Sequence, residues 1–95
     1  MRARTERAVR ESDRIVGERD APTADARTRE RAEERLQGVI GRWAREMEAL
    51  GLEVKGLWLV DFDNGSGYYC WRWPETELEH FHDYDEGFDG RIRIQ

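Results

Sequence analysis

Hydrophobic periodicity changes once along this chain, at Gly51, and that change decides what it can fold into. Up to Leu50 the apolar residues recur at helical spacing among arginines and glutamates; beyond Gly51, aromatic and β-branched residues alternate between turn residues. A helical half followed by a stranded half specifies an α+β chain. The expected architecture is an N-terminal antiparallel helical hairpin followed by a small three- or four-stranded antiparallel β-meander. For 95 residues one domain is expected, with the hairpin over residues 1–55 and the meander, ending in an acidic tail, over 56–95.

Residues 5–19 read as the first helix, with Val9, Ser12 and Val16 along one seam flanked by Ala8 and Ile15. So thin a stripe needs a partner surface, because a helix of about 15 residues is marginal alone. Asp20-Ala21-Pro22-Thr23 breaks it, since proline disfavours helix at the residue before it and suits the opening of a new one. The second helix is expected over residues 23–50, capped by Thr23 or Asp25 and closed by Gly51 in the left-handed conformation. Leu36, Ile40, Trp43, Met47 and Leu50 follow at intervals of 4, 3, 4 and 3, a heptad seam that fades into Ala26, Arg29 and Ala32. Gly38 and Gly41, each costing about 1 kcal/mol relative to alanine inside a helix, point to close backbone packing. The interleaved Arg and Glu form a solvated face with pairs at i,i+4.

Strands are expected over residues 57–62, 68–73 and 78–82, with 91–94 as a short fourth strand whose arginines blunt the sheet edge. Residues 63–67 supply a five-residue hairpin loop, and Pro74-Glu75-Thr76-Glu77 the next turn. Those lengths set a register. One face would carry the rows Leu57/Trp73/Leu78, Leu59/Trp71/His80 and Asp61/Tyr69/His82; the other would carry Val60/Cys70/Phe81 and Trp58/Arg72/Glu79. A slip of one residue in either loop changes the rows. Both faces hold large apolar side chains, so one is expected to meet a second subunit or the acidic tail, which Phe88 anchors.

Charge narrows the function classes. Residues 1–55 carry 13 Arg or Lys against 12 Asp or Glu, and residues 56–95 carry 3 against 9, so the stranded half holds the acidity of a chain whose net charge is −5. That half lacks the clustered cations a phosphate backbone requires, so nucleic acid is not an expected partner. No stretch approaches the roughly 20 apolar residues that span a bilayer. The N-terminus alternates Arg and Glu where a signal peptide has an apolar run, and the one cysteine, Cys70, forms no intrachain disulfide. A cytoplasmic location is expected. Lys55 is the only lysine, and composition alone attaches no mechanism to it.

Three constellations could carry chemistry. The row Asp61, Tyr69 and His82 places a carboxylate beside an imidazole, which fixes its tautomer and favours its charged form. It is a candidate for proton transfer, although no serine or cysteine in an activating turn accompanies it and satisfaction of a half-buried histidine is the commoner role. The second constellation is metal or haem ligation by His80 and His82, with Asp61, Asp83, Asp85 or Cys70 as further ligands; imidazoles and carboxylates suit a first-row transition metal. The register above sends Cys70 to the opposite face. Asp83-x-Asp85-x-Gly87 lacks the ligand spacing of an EF-hand. Third, the aromatic set Trp58, Tyr68, Tyr69, Trp71, Trp73 and Phe81 could stack a planar ligand, though such a set more often forms the core of a small sheet. No motif requires a cofactor.

The run Leu59-Val60-Asp61-Phe62, then Cys70-Trp71-Arg72, then Phe81-His82, then Gly87-Phe88-Asp89-Gly90-Arg91 resembles the C-terminal signature of domain-of-unknown-function family 2203, small uncharacterised prokaryotic proteins. The resemblance covers residues 57–95. It implies helices ahead of a Leu-Val-Asp-Phe strand, a Cys-Trp strand and a Trp-His segment. Phe81 stands where that family usually has tryptophan, and the Thr-x-x-Glu-Ala-Asn and Leu-Pro that usually open its first helix are absent. The resemblance implies no activity. The expected function is therefore a non-catalytic oligomeric or accessory interaction module, a homo-oligomer or one with a protein partner, built on the heptad seam and the two-faced sheet. The alternatives are a metal- or haem-binding protein using His80 and His82 with Asp61, and a small enzyme using the Asp61–His82 pair.

Overall fold

The computed structural model describes residues 1–94 and has the expected α+β order. Two helices, α1 (Arg2–Arg19) and α2 (Ala26–Ala49), precede an antiparallel sheet of five strands: β1 (Glu53–Gly56), β2 (Leu59–Asp63), β3 (Tyr68–Arg72), β4 (His80–His82) and β5 (Ile92–Arg93). A single turn of 3-10 helix, Phe88–Gly90, stands before β5. The chain divides into two compact units, Met1–Glu46 and Met47–Gln95. Among the described residues, no helix is long and apolar enough to cross a membrane.

In the first unit α1 and α2 run antiparallel. Trp43 Nε1 donates to Thr5 Oγ1 at 2.8 Å, Arg19 reaches Glu33 and Arg35 reaches Glu18, so the start of one helix meets the end of the other. Thr5 passes its own hydroxyl proton to the Met1 carbonyl, which leaves this buried polar pair fully satisfied. The core takes Thr5, Ala8, Ser12 and Ile15 from α1 with Ala32, Val39 and Trp43 from α2. The α1 seam is thus turned slightly from the expected Val9/Ser12/Val16 line, with Ala8 and Ile15 buried in place of the two valines. On α2, Val39 rather than Ile40 takes the deep position and Leu50 is exposed, whereas Trp43 and Met47 hold theirs.

Local chemistry sets the helix ends. Asp25 is the cap of α2, its Oδ1 accepting the Thr28 N–H at 2.8 Å. At the other end Gly51, at φ 83°, sends its N–H to the Glu48 carbonyl while Leu52 reaches back to Met47, the two bonds of a Schellman motif. Gly38 does not mark a close approach, since a Cβ there would meet nothing within 4 Å among the described residues; Gly41 would meet only the Arg45 guanidinium.

In the second unit each strand pairs with its neighbour in sequence. Five strands form, not three or four, because Trp58 adopts φ 58° and turns the chain, giving residues 53–56 a strand of their own beside β2. The β2–β3 loop is also tighter than expected. Asn64 N–H donates to the Gly67 carbonyl at 3.0 Å and Gly65 takes φ 92°, which leaves a two-residue turn, Gly65-Ser66, in place of a five-residue loop. Asp63 and Asn64 side chains hold it by accepting the Gly65 and Ser66 N–H groups.

That turn moves the register by one residue. Asp61 lies opposite Cys70 and Asp63 opposite Tyr68, and on the far side Tyr68 meets His82 and Cys70 meets His80. The expected rows are therefore corrected throughout. Asp61, Tyr68, Cys70, His80 and His82 share one face, while Val60, Phe62, Tyr69, Trp71 and Phe81 share the other. The expected edge strand exists as β5, shortened to two residues and paired with β4. Phe88 anchors the tail, its ring 4.1 Å from the Arg91 guanidinium and 5.1 Å from that of Arg72.

Candidate metal centre

Three adjacent strands bring Asp61 from β2, Cys70 from β3 and His82 from β4 into one cluster. A carboxylate oxygen, the Cys70 Sγ and a His82 ring nitrogen all lie within 4.8 Å of one another. The three residues are 3%, 1% and 3% exposed, an arrangement a sheet tolerates only if its polar groups find partners. They form part of the wall of a cavity of about 360 Å³ that Lys55, Leu59, Tyr68, Tyr84 and Phe88 also line.

The protons of the cluster can be followed. His82 Nδ1 is 2.9 Å from the Asp83 carbonyl. A carbonyl only accepts, so Nδ1 carries a hydrogen and donates it. His82 Nε2 is 2.9 Å from Asp61 Oδ2, with one proton between them. The other carboxylate oxygen, Asp61 Oδ1, is buried without an aligned hydrogen-bond partner among the described residues. Burial, and then the neighbouring Asp61, push the Cys70 thiol up to about 12, so it is protonated at neutral pH.

This arrangement disfavours a nucleophilic role for Cys70. A cysteine nucleophile needs a depressed pKa and a free imidazole nitrogen to take its proton, and both His82 nitrogens are committed. It does suit a metal ion. An Nδ1–H bound to a backbone carbonyl is the support that aims Nε2 at a metal. Two ligand atoms, each about 2.1 Å from a common ion, stand about 3.0 Å apart at a right angle and about 3.4 Å apart at the tetrahedral angle, so the 2.9 Å between Nε2 and Oδ2 must widen by about 0.1–0.5 Å.

The other expected site residues lie elsewhere. Tyr69 is on the opposite face, edge-on to Phe81 at 6.2 Å between ring centroids. His80 shares the face of the cluster but is held by Glu75, whose Oε2 is 3.2 Å from Nδ1 without hydrogen-bond alignment. Glu75 also takes the Arg72 N–H at 2.7 Å and the Arg91 guanidinium at 2.8 Å. Burial raises the Glu75 pKa, but the bonds from Arg91 and from the Arg72 backbone outweigh it and leave the carboxylate below its usual range. Asp83 contributes its backbone carbonyl rather than its carboxylate, and Asp85 is exposed. Cys70, set aside by the expected register, belongs to the cluster after all. The sequence signal for it was Gly65, because glycine at the first central position of a two-residue turn fixes the register that brings Cys70 opposite Asp61.

Compared with known proteins, the chain is matched over residues 1–94 by a family model described as Uncharacterized conserved protein (DUF2203). No curated protein and no solved structure matches it.

Proposed function

The chain belongs to the DUF2203 family of uncharacterized conserved proteins, a description that carries no activity, and from its own geometry we propose that it binds a divalent transition-metal ion through Asp61, Cys70 and His82. The donor atoms converge within 4.8 Å around a histidine whose tautomer Asp83 has already fixed, and that convergence carries the proposal. Charge balance supports a divalent ion. Without metal, one proton lies between Asp61 and His82 and one on Cys70, so the buried cluster is neutral. An ion of charge +2 replacing both protons leaves it neutral again, which avoids burying a net charge.

Thiolate, imidazole and carboxylate together favour zinc over magnesium or calcium. Three protein ligands beside a cavity leave a coordination position open, as catalytic zinc sites do and closed structural sites do not. The ion would supply Lewis acidity at that position. Titration of the metal-free chain with Zn²⁺ and Co²⁺ tests the proposal. One ion per chain is expected, with a thiolate-to-cobalt absorption band that disappears in Cys70→Ser; cobalt uptake without a sulfur band would contradict it.

An interaction module is the second reading. It is favoured by Leu57, Phe62 and Ile92, which are 57%, 43% and 65% exposed on the sheet unit. A dimer or larger species by light scattering at micromolar concentration is expected on this reading, and a sharp monomer mass removes it.

A further inference from the structure

Resting on the metal reading, we infer that the cavity takes a small oxyanion ligand, a carboxylate or phosphate on a flat apolar body, with one oxygen on the open metal position and its charge matched by Lys55. Lys55 is the single lysine in a chain whose other basic residues are arginines. It also occupies an irregular position. Val54 pairs with Val60 and Gly56 with Leu59, so Lys55 is the extra residue of a β-bulge in β1. Bulges re-aim a side chain out of the regular alternation, and this one makes Lys55 part of the wall that also holds Asp61, Cys70 and His82.

The ammonium sits in a long ion pair with Glu53, with which a ligand oxygen would compete. Its carboxylate neighbour, Glu53 Oε1, is 3.6 Å away, beyond hydrogen-bond reach, and it stands 5.1 Å from the Tyr68 ring centroid. With the metal cluster neutral, Lys55 and Glu86 are the remaining charged groups of the lining. Glu86 folds its carboxylate against Gly90, where a Cβ would collide with it. Lysine, a compact charge on a flexible stem, suits a carboxylate or phosphate approaching from solvent. The walls suit a flat body: the Tyr68 ring is 5.3 Å from the His82 ring, Tyr84 stands edge-on to Tyr68 at 5.2 Å, and Phe88 and Leu59 complete the apolar surface.

The test uses the full chain loaded with Co²⁺, titrated with benzoate and with inorganic phosphate while the visible spectrum is recorded. A saturable spectral change is expected with at least one of them. Lys55→Met is expected to weaken it about tenfold or more at unchanged cobalt stoichiometry, and Lys55→Arg to keep part of it. Tighter benzoate assigns the site to flat carboxylates, and tighter phosphate to phosphorylated molecules. A loaded protein whose spectrum answers neither probe, or a Lys55→Met variant that titrates like the parent, overturns this inference and leaves the metal site standing. A chain that takes up no cobalt overturns both. Lys55 has a side chain 41% exposed, so its replacement leaves the fold as control, checked by circular dichroism.

Discussion

His82 Nε2 lies 2.9 Å from Asp61 Oδ2, while the other nitrogen of the same ring donates to the carbonyl of the next residue, Asp83. The ring's orientation therefore depends on its own strand, and its partner comes from two strands away. Between them in strand order sits Cys70, whose thiol burial and the Asp61 carboxylate keep protonated. The pair is an acid–base couple closed on itself until something displaces its shared proton, and a divalent ion is the agent the donor set favours.

Asp61→Asn and His82→Ala should separate stability from metal binding. In the metal-free protein, His82→Ala leaves a buried carboxylate without its partner, a loss of about 3–5 kcal/mol. Asp61→Asn keeps a hydrogen bond to Nε2 and should cost only about 1 kcal/mol, yet it removes an anionic ligand. Urea unfolding in the presence of a chelator measures the first difference, and zinc titration of the stable variant measures the second.

Zinc affinity should rise with pH. The Cys70 thiol stands at about 12, so at neutral pH the ion must expel its proton together with the one shared by Asp61 and His82. Each displaced proton makes the apparent affinity rise up to about tenfold per pH unit. Proton release into a weakly buffered indicator dye during zinc addition, approaching two per ion, checks the count.

The metal-free fold should weaken in alkali. Burial raises Cys70 from its ordinary value of 9.0 to about 12, so the folded state binds a proton that the unfolded chain releases earlier. That contribution is fully present below about pH 9 and is lost as the pH climbs toward about 12. Urea midpoints across that window should fall for the parent and fall less for Cys70→Ala. At neutral pH the same burial should make the thiol slow toward disulfide reagents.

Two glycines should respond in opposite directions. A Cβ at Gly67 would stand 2.5 Å from Phe81 Cζ and 2.6 Å from the His82 carbonyl oxygen. Gly67→Ala should therefore cost about 1–3 kcal/mol, shift β4 and weaken zinc binding. Gly38→Ala meets no neighbour within 4 Å among the described residues and should stabilise α2 by up to about 1 kcal/mol. Thermal or urea melts of the two variants check the signs.

The α+β order, the Asp25 cap, the Gly51 terminator and the edge strand were legible because each depends on residues close together in sequence. The site was legible in part. The sequence puts Asp61 and His82 on one face, and the two do meet at 2.9 Å, but its register sets Tyr69 where Cys70 stands. Asp63-Asn64-Gly65-Ser66-Gly67 is compatible with a loop of five residues or a turn of two, and one residue of register exchanges every side chain between faces. Spacing alone puts His80 beside His82 on one strand face. Its hold by Glu75, itself clamped by Arg91 from the tail, depends on contacts across the sheet that no local pattern encodes.

Zinc binding by the chelator-stripped chain, followed by calorimetry and elemental analysis, bears most directly on the proposed metal site. One ion per chain is predicted for the parent, with stoichiometric binding lost in Cys70→Ser and in His82→Gln while both remain folded by circular dichroism. Substoichiometric zinc in the parent, or an unchanged isotherm in both variants, would contradict it.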